Sequence, residues 1–370
     1  MFKRYRVIDY NFKLVIMLIA ISVIGILAIG SANSEFQSKQ MVGLIVGVFL
    51  MVVISLFDYH IFLKFYWILY FLNLGLLILV NFVGDSSNNA QRWITIAGIR
   101  FQPSETAKIL LILFYAQYIM KHKEHFNTFK NLLFMVLLFI PQWYLIYKQP
   151  DLSTSIMLII IFCILLYAGG LNYKIIFGAL AIIIPIGMIL LSLILQEDQN
   201  IIQDYQQNRI MAWLHPDEYV NTEGYQQNNS KIAIGSGRLT GKGLNNNEIA
   251  SVKNGNFISE PQTDFIFAII GEELGFIGGC IVIILLMLIS IECILVAKRA
   301  PDIEGAVICI GMGTIIGFQS FMNIAVATGL MPNTGLPLPF VSYGLTSLLS
   351  LYIGMGFVLN VRLQGVRKYS

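Results

Sequence analysis

From Phe12 onward the chain alternates long apolar runs with short polar breaks almost to its end. Most runs approach the roughly 17–25 residues that carry an α-helix across a hydrocarbon layer about 30 Å thick. They predict ten transmembrane helices, over 12–32, 41–57, 66–84, 104–121, 131–147, 152–168, 174–195, 265–297, 303–328 and 340–361. The second and sixth are short for a span. One connection breaks the rhythm. Residues 196–264, between the seventh and eighth spans, are polar, rich in Asn and Gln, and too poor in apolar side chains to build a core of their own. A connection of that length points to function or to disorder. No internal repeat is visible, which weighs against an inverted-repeat transporter. The expected fold is all-α: one polytopic membrane domain over 1–370, carrying a long extracytoplasmic loop at 196–264.

Composition removes the soluble alternatives. Of 370 residues, 56% are hydrophobic and 12% charged, with a mean hydropathy of +0.72; a soluble domain is usually about a quarter charged. The net charge of +3 matters less than its distribution. Lys3, Arg4, Arg6, Lys13, Lys64, Lys121, Lys123, Lys130, Lys174, Lys298, Arg299, Arg362, Arg367 and Lys368 gather at one set of helix ends. The short connections of the other side hold Lys39, Arg92, Arg100 and Lys148. Because cytoplasmic loops collect Lys and Arg, both termini are expected in the cytoplasm and the 196–264 loop outside. Nucleic acid is not an expected partner. Cys163, Cys280, Cys293 and Cys309 lie in apolar runs without CxxC spacing and read as packing residues. Four histidines are too few for a metal site built from imidazoles. "LAIGSA" at 27–32 faintly resembles a signal cleavage site, but a chain with many later spans is expected to keep its first one.

Against this apolar background the polar residues stand out. "SEPQTDFIFAIIGEELGFIGG" (259–279) opens the eighth span yet carries Glu260, Asp264, Glu272 and Glu273. The first two fall at the outer mouth, the second two roughly 12 Å deeper along the helix. Carboxylates at membrane depth are costly and mark function or a buried pairing. In "QRWITIAGIRFQPSETAK" (91–108), Arg92 and Trp93 lie in an outer loop, and Pro103 and Ser104 suit a helix start. Glu105 and Lys108, three apart, share one helix face and read first as an ion pair. Asp151 in "KQPDLSTS" reads first as a helix N-cap. "IAIGSGRLTGKGL" spaces four glycines around Arg238 and Lys242, a weak anion-cradle pattern equally readable as a flexible loop. "TGLMPNTGLPLPFVSYG" (328–344) has three prolines and no charge, and is expected to be a rigid loop packed within protein. All these groups converge on the outer side. A transporter would expose polar groups near the midplane and to both faces; one-sided convergence favours binding or chemistry at the outer leaflet.

Five stretches together resemble the SEDS family (shape, elongation, division and sporulation), the group that includes RodA and FtsW. They are "RWITIAGIRFQPSETAK" (92–108), "QPDLSTS" (149–155), "GYQQNNSKIAIGSGRLTGKG" (224–243), "EPQTDFIFAIIGEELGFIGG" (260–279) and "TGLMPNTGLPLPFVSYGLTS" (328–347). The Phe-Gln-Pro-Ser-Glu segment and the 224–243 block are more similar to the RodA branch. The resemblance implies a peptidoglycan glycosyltransferase of the bacterial cytoplasmic membrane, polymerising lipid II (an undecaprenyl-diphosphate-linked disaccharide peptide) at the outer face beside a class B penicillin-binding protein. It places the family's essential aspartate on Asp264. Three departures stand in this chain: Gln262 where the family often has His, Arg238 in the last position of a Gly-Ser-Gly-Gly pattern, and Gly344–Leu345 where a double glycine is usual. The family's Glu-to-Lys spacing is also shortened to three between Glu105 and Lys108.

On that reading Asp264 is the base that takes the acceptor hydroxyl's proton in an inverting transfer. Lys108 and Arg92 are first candidates for the leaving diphosphate, and Arg238 or Lys242 second ones. Glu105 would orient Lys108, and Asp151 would position sugar hydroxyls or cap its helix. Trp93, Glu260, Thr263 and Ser342 complete the expected substrate-binding set. A divalent cation, Mg or Mn, bridging Asp264 or Asp151 to the diphosphate is left open. Two alternatives predict other behaviour: a lipid II flippase would move lipid without making polymer, and a scaffold for the penicillin-binding protein would tolerate Asp264→Asn.

Overall fold

The computed structural model describes residues 9–87, 90–96, 99–196, 202–245, 251, 255 and 257–369. Its long helices are α1 (Phe12–Ala32), α2 (Ser34–Leu56), α4 (Tyr66–Val83), α5 (Pro103–Lys121), α6 (Phe129–Lys148), α7 (Leu152–Ala168), α8 (Tyr173–Ile194), α11 (Ile266–Lys298), α12 (Ile303–Ala327) and α13 (Leu345–Tyr369). Each answers to one of the ten expected spans. Among the described residues, eight are long and apolar enough to cross a bilayer. α7, at 17 residues, is shorter, and α5 carries Glu105 and Lys108 near its start. The protein is a multi-pass membrane protein whose spans are all helical.

The ends of these helices follow from local chemistry. Asn11 caps α1, its side chain accepting from Leu14 N at 3.3 Å. Asn33 ends α1 and caps α2, accepting from Glu35 N at 3.0 Å. α2 therefore begins seven residues before the expected 41, because its polar first turns conceal a helix from hydropathy. α13 begins at Leu345 rather than 340, since residues 340–344 belong to the buried loop before it.

Elements without a membrane-length signal were not foreseen. α3 (Tyr59–Lys64) follows α2, capped by Asp58. Strands β1 (Asp85–Ser87), β2 (Ala90–Ile96) and β3 (Ile99–Phe101) form an antiparallel sheet in chain order. The long loop contains α9 (Asp204–Leu214) and α10 (Tyr225–Ser236). Neither has a core of its own, and each docks by polar contacts. Ser230 Oγ of α10 donates to Ala327 O at 2.7 Å, and Trp213 Nε1 of α9 to Gly329 O at 3.2 Å.

α5, α12 and α13 supply the enclosed centre, with Phe114, Tyr115, Ile315, Ile316, Tyr352 and Val358 all buried. α2 lies along α13, α11 along α12 and α4 along α5. No described side chain of α8 is buried, so its apolar surface is left for lipid.

α11 is interrupted at Gly275, where φ is 66° and ψ −165°. The break frees backbone groups that must find partners away from water. Residues 238–243 supply them. Phe276 N donates to Arg238 O at 2.9 Å, Ile277 N to Leu239 O at 3.1 Å, and Lys242 N and Gly243 N to Glu272 O and Glu273 O at 3.0 Å each. So close an approach requires Gly241 (φ 79°), where a Cβ would fall 2.1 Å from Glu273 O. The glycines expected to cradle an anion thus serve a backbone junction.

Candidate active site

Asp264 lies in the short connection before α11, held from several sides. Its carbonyl accepts from Asn323 Nδ2 of α12 at 2.7 Å, and Asn323 also donates to Leu336 O at 2.7 Å. One side chain thereby joins the aspartate to the proline-rich loop. Gly335 (φ 72°) stands behind the carboxylate; a Cβ there would lie 3.3 Å from Oδ2. The preceding residues are locked to the same loop. Ser342 Oγ donates to Thr263 O at 2.6 Å and accepts from Leu338 N at 2.7 Å. Tyr343 N donates to Gln262 O at 2.9 Å, and Thr263 Oγ1 to Glu260 O at 2.8 Å. The backbone, not the side chain, of Gln262 makes that joint.

The Asp264 side chain is half-buried, and burial pushes its pKa up to about 6. Arg209 and Arg92 oppose that rise, while Glu260 and Asp151 reinforce it. Glu260 is exposed and left-handed, with φ 50°. Arg209 of α9, half-buried over the Tyr205 ring at 5.6 Å, is the cation that sequence reasoning missed. Burial lowers its pKa, and Asp264 counteracts that. "DYQQNRIMAW" offers a lone cation in a helix-forming run, a signal masked by the polar loop around it.

Asp151 is buried and caps α7, its Oδ1 accepting from Thr154 N at 3.2 Å. The turn before it is gripped by Arg92, which donates from Nε to Gln149 O at 3.1 Å and from Nη2 to Pro150 O. Tyr205 Oη donates to the same Pro150 carbonyl at 2.8 Å. Ser153 Oγ donates to Thr334 O, beside Gly335. Trp93 follows Arg92 on β2 and is half-buried. α7, α9, β2 and the proline-rich loop therefore meet around Asp264.

Other expected site residues sit elsewhere or are already engaged. Lys108, 1% exposed, donates to Glu105 Oε1 at 2.8 Å and to Gln319 Oε1 at 2.9 Å. Gln319 Nε2 donates onward to Pro337 O at 2.8 Å. Gln319 and Asn323, one turn apart on α12, thus hold the proline-rich loop at two points. Lys242 Nζ donates to Glu272 Oε1 at 2.9 Å, and Ser31 Oγ to Glu273 Oε1, so the deeper glutamates anchor the α11 break. Arg238 sits in that junction with φ 49°, a conformation natural to glycine.

A profile of the FtsW, RodA and SpoVE cell cycle proteins matches residues 6–366. The chain is 32% identical over 373 residues to a probable peptidoglycan glycosyltransferase FtsW of Geobacter sulfurreducens, covering 96% of each. It is 33% identical over 351 residues to the peptidoglycan glycosyltransferase MrdB of Escherichia coli K12, covering 94% of this chain and 92% of that one. Its fold matches a chain from a study of the structural coordination of polymerization and crosslinking by a peptidoglycan synthase complex. There the TM-score is 0.80 at 26% identity, over 96% of this chain and 98% of that one. The crystal structure of the rod shape determining protein RodA of Thermus thermophilus matches with a TM-score of 0.70 at 24% identity, over 98% of each. FtsW and MrdB are equally near, so the branch is not assigned. With the match unbroken across nearly the whole length, this chain belongs to the FtsW, RodA and SpoVE family, the SEDS proteins.

Proposed function

We propose that this protein is a peptidoglycan glycosyltransferase that polymerises lipid II at the outer face of the bacterial cytoplasmic membrane. The carrying observation is Asp264: a half-buried carboxylate of raised pKa within electrostatic reach of Arg209 and Arg92. The acceptor sugar hydroxyl attacks the donor's anomeric carbon as the carbon–oxygen bond to the diphosphate breaks. The hydroxyl proton passes to the carboxylate of Asp264, and the lipid diphosphate leaves with the bonding pair. A carboxylate of pKa about 6 is ionised at neutral pH yet more basic than an ordinary aspartate. Arg209 and Arg92 stabilise the departing diphosphate. Lys108, expected from sequence at that task, instead acts as a positioning residue through Gln319 and Pro337. Both termini lie in the cytoplasm on this reading, and a class B penicillin-binding protein receives the new strand.

The test is polymerisation of labelled lipid II by the purified protein, with and without such a partner, with products resolved by length. Polymer from the wild type and none from Asp264→Asn supports the reading. Lipid translocation without polymer in any condition would leave a flippase instead.

A further inference from the structure

The end of the bundle opposite Asp264 holds a second group of ionisable side chains, unused by the proposed transfer. α11 starts beside Asp264 and runs to Lys298; Asp302, which caps α12, follows soon after that far end. Here His60 of α3 meets Asp302 and Glu304. Its Nε2 lies 3.1 Å from Asp302 Oδ2 and 3.4 Å from Glu304 Oε2. The three ligand atoms all lie within 4.8 Å of one another. Nitrogen and oxygen ligands held about 2.0–2.2 Å from a tetrahedral ion are about 3.3–3.5 Å apart. Two edges of this triangle are close to that spacing.

The surrounding bonds orient the same three atoms. His60 Nδ1 lies 2.7 Å from Asp58 Oδ1, the kind of contact that holds a proton on Nδ1 and turns Nε2 toward a metal that takes the place of its proton. Gln364 Nε2 holds that Asp58 oxygen at 2.7 Å. Asp302 accepts from Gly305 N at Oδ1 (2.7 Å) and from Tyr59 Oη at Oδ2 (2.5 Å). Glu304 is the third arm. Its side chain is 8% exposed, and among the described residues the ion-pair partner of its carboxylate is His60, 3.4 Å away. A buried carboxylate is expensive, and a cation would satisfy it.

We propose that His60, Asp302 and Glu304 bind one divalent transition-metal ion of the Zn²⁺ or Mn²⁺ class, with Asp58 and Tyr59 orienting the ligands. The ion would pin α3 to the start of α12 and, through Asp58 and Gln364, to α13. One imidazole among carboxylates favours such ions over Mg²⁺ and Ca²⁺, which take oxygen ligands.

The test uses the full-length protein in detergent, stripped with a chelator and dialysed against Zn²⁺. The expected result is one Zn²⁺ per chain, a raised Tm, and no comparable effect of Mg²⁺. Glu304→Gln and His60→Asn each weaken binding at least about tenfold, and Asp58→Asn about tenfold. Stoichiometric Zn²⁺ held as tightly by every one of these variants as by the wild type, or no saturable binding at all, overturns the site. Co²⁺ titration of the unmodified protein needs no variant: saturable visible absorption of a low-coordinate ion supports it, and its absence leaves a His60–carboxylate clasp without metal.

Discussion

Glu105 with Lys108, and Asp264 with Arg209, each set an acid against a base, but in opposite surroundings. The first pair is sealed. Both side chains are buried, Lys108 donates to two acceptors, and Gln319 passes the connection to the proline-rich loop. The second is partly open, joined by Arg92, Asp151 and Glu260, and its carboxylate carries the raised pKa. A sealed pair fixes positions, because breaking it strands a charge in low dielectric. An open, crowded group keeps a proton affinity that a substrate can use.

The comparison breaks most sharply at Lys108. Lys108→Ala strands Glu105 and is expected to cost about 3–5 kcal/mol, read as a fall in Tm; Glu105→Gln with Lys108→Met recovers most of it. Loss of activity in Lys108→Ala with unchanged Tm would move Lys108 into the open class. Arg209→Gln should leave Tm intact and slow lipid II polymerisation roughly 100-fold, the usual effect of removing one charge-stabilising donor. An unaltered rate would remove Arg209 from the site. Gly241→Ala, driving a Cβ into the Glu273 carbonyl, should destabilise by more than about 1 kcal/mol. Arg238→Gly, relieving a left-handed arginine, should stabilise by up to about 1 kcal/mol.

A finer prediction concerns stability. The folded-state pKa of Asp264 is raised from 3.8 to about 6, so the folded protein holds this proton more tightly than the unfolded chain. Its contribution to stability is present below pH 3.8 and lost as pH rises through about 6. Asp264→Asn should therefore raise Tm at pH 8 relative to wild type and change it little at pH 4.

The spans were legible because hydropathy records burial in lipid over some twenty residues at a time. The position of Asp264 at the start of α11 was legible, because a carboxylate at the mouth of an apolar helix stands out from its surroundings. The role of the 235–243 glycines was not, since their partners are carbonyls of α11, exposed by a break at Gly275 that resembles any other helical glycine in sequence. Arg209 was hidden for a related reason. Its helix docks through polar bonds from Tyr205 and Trp213, which leave no apolar stripe to count. Lys108 was placed on the right helix face, but only the fold shows that Gln319 closes its surroundings.

The most direct measurement of the central claim is single-turnover transfer from labelled lipid II across pH 5–8, for wild type and Asp264→Asn. The account predicts a wild-type rate that climbs with pH through a midpoint near 6, as the carboxylate loses its proton. It predicts a variant slower by at least about 100-fold with no such midpoint. A variant within tenfold of wild type, or one sharing its pH midpoint, would contradict Asp264 as the base.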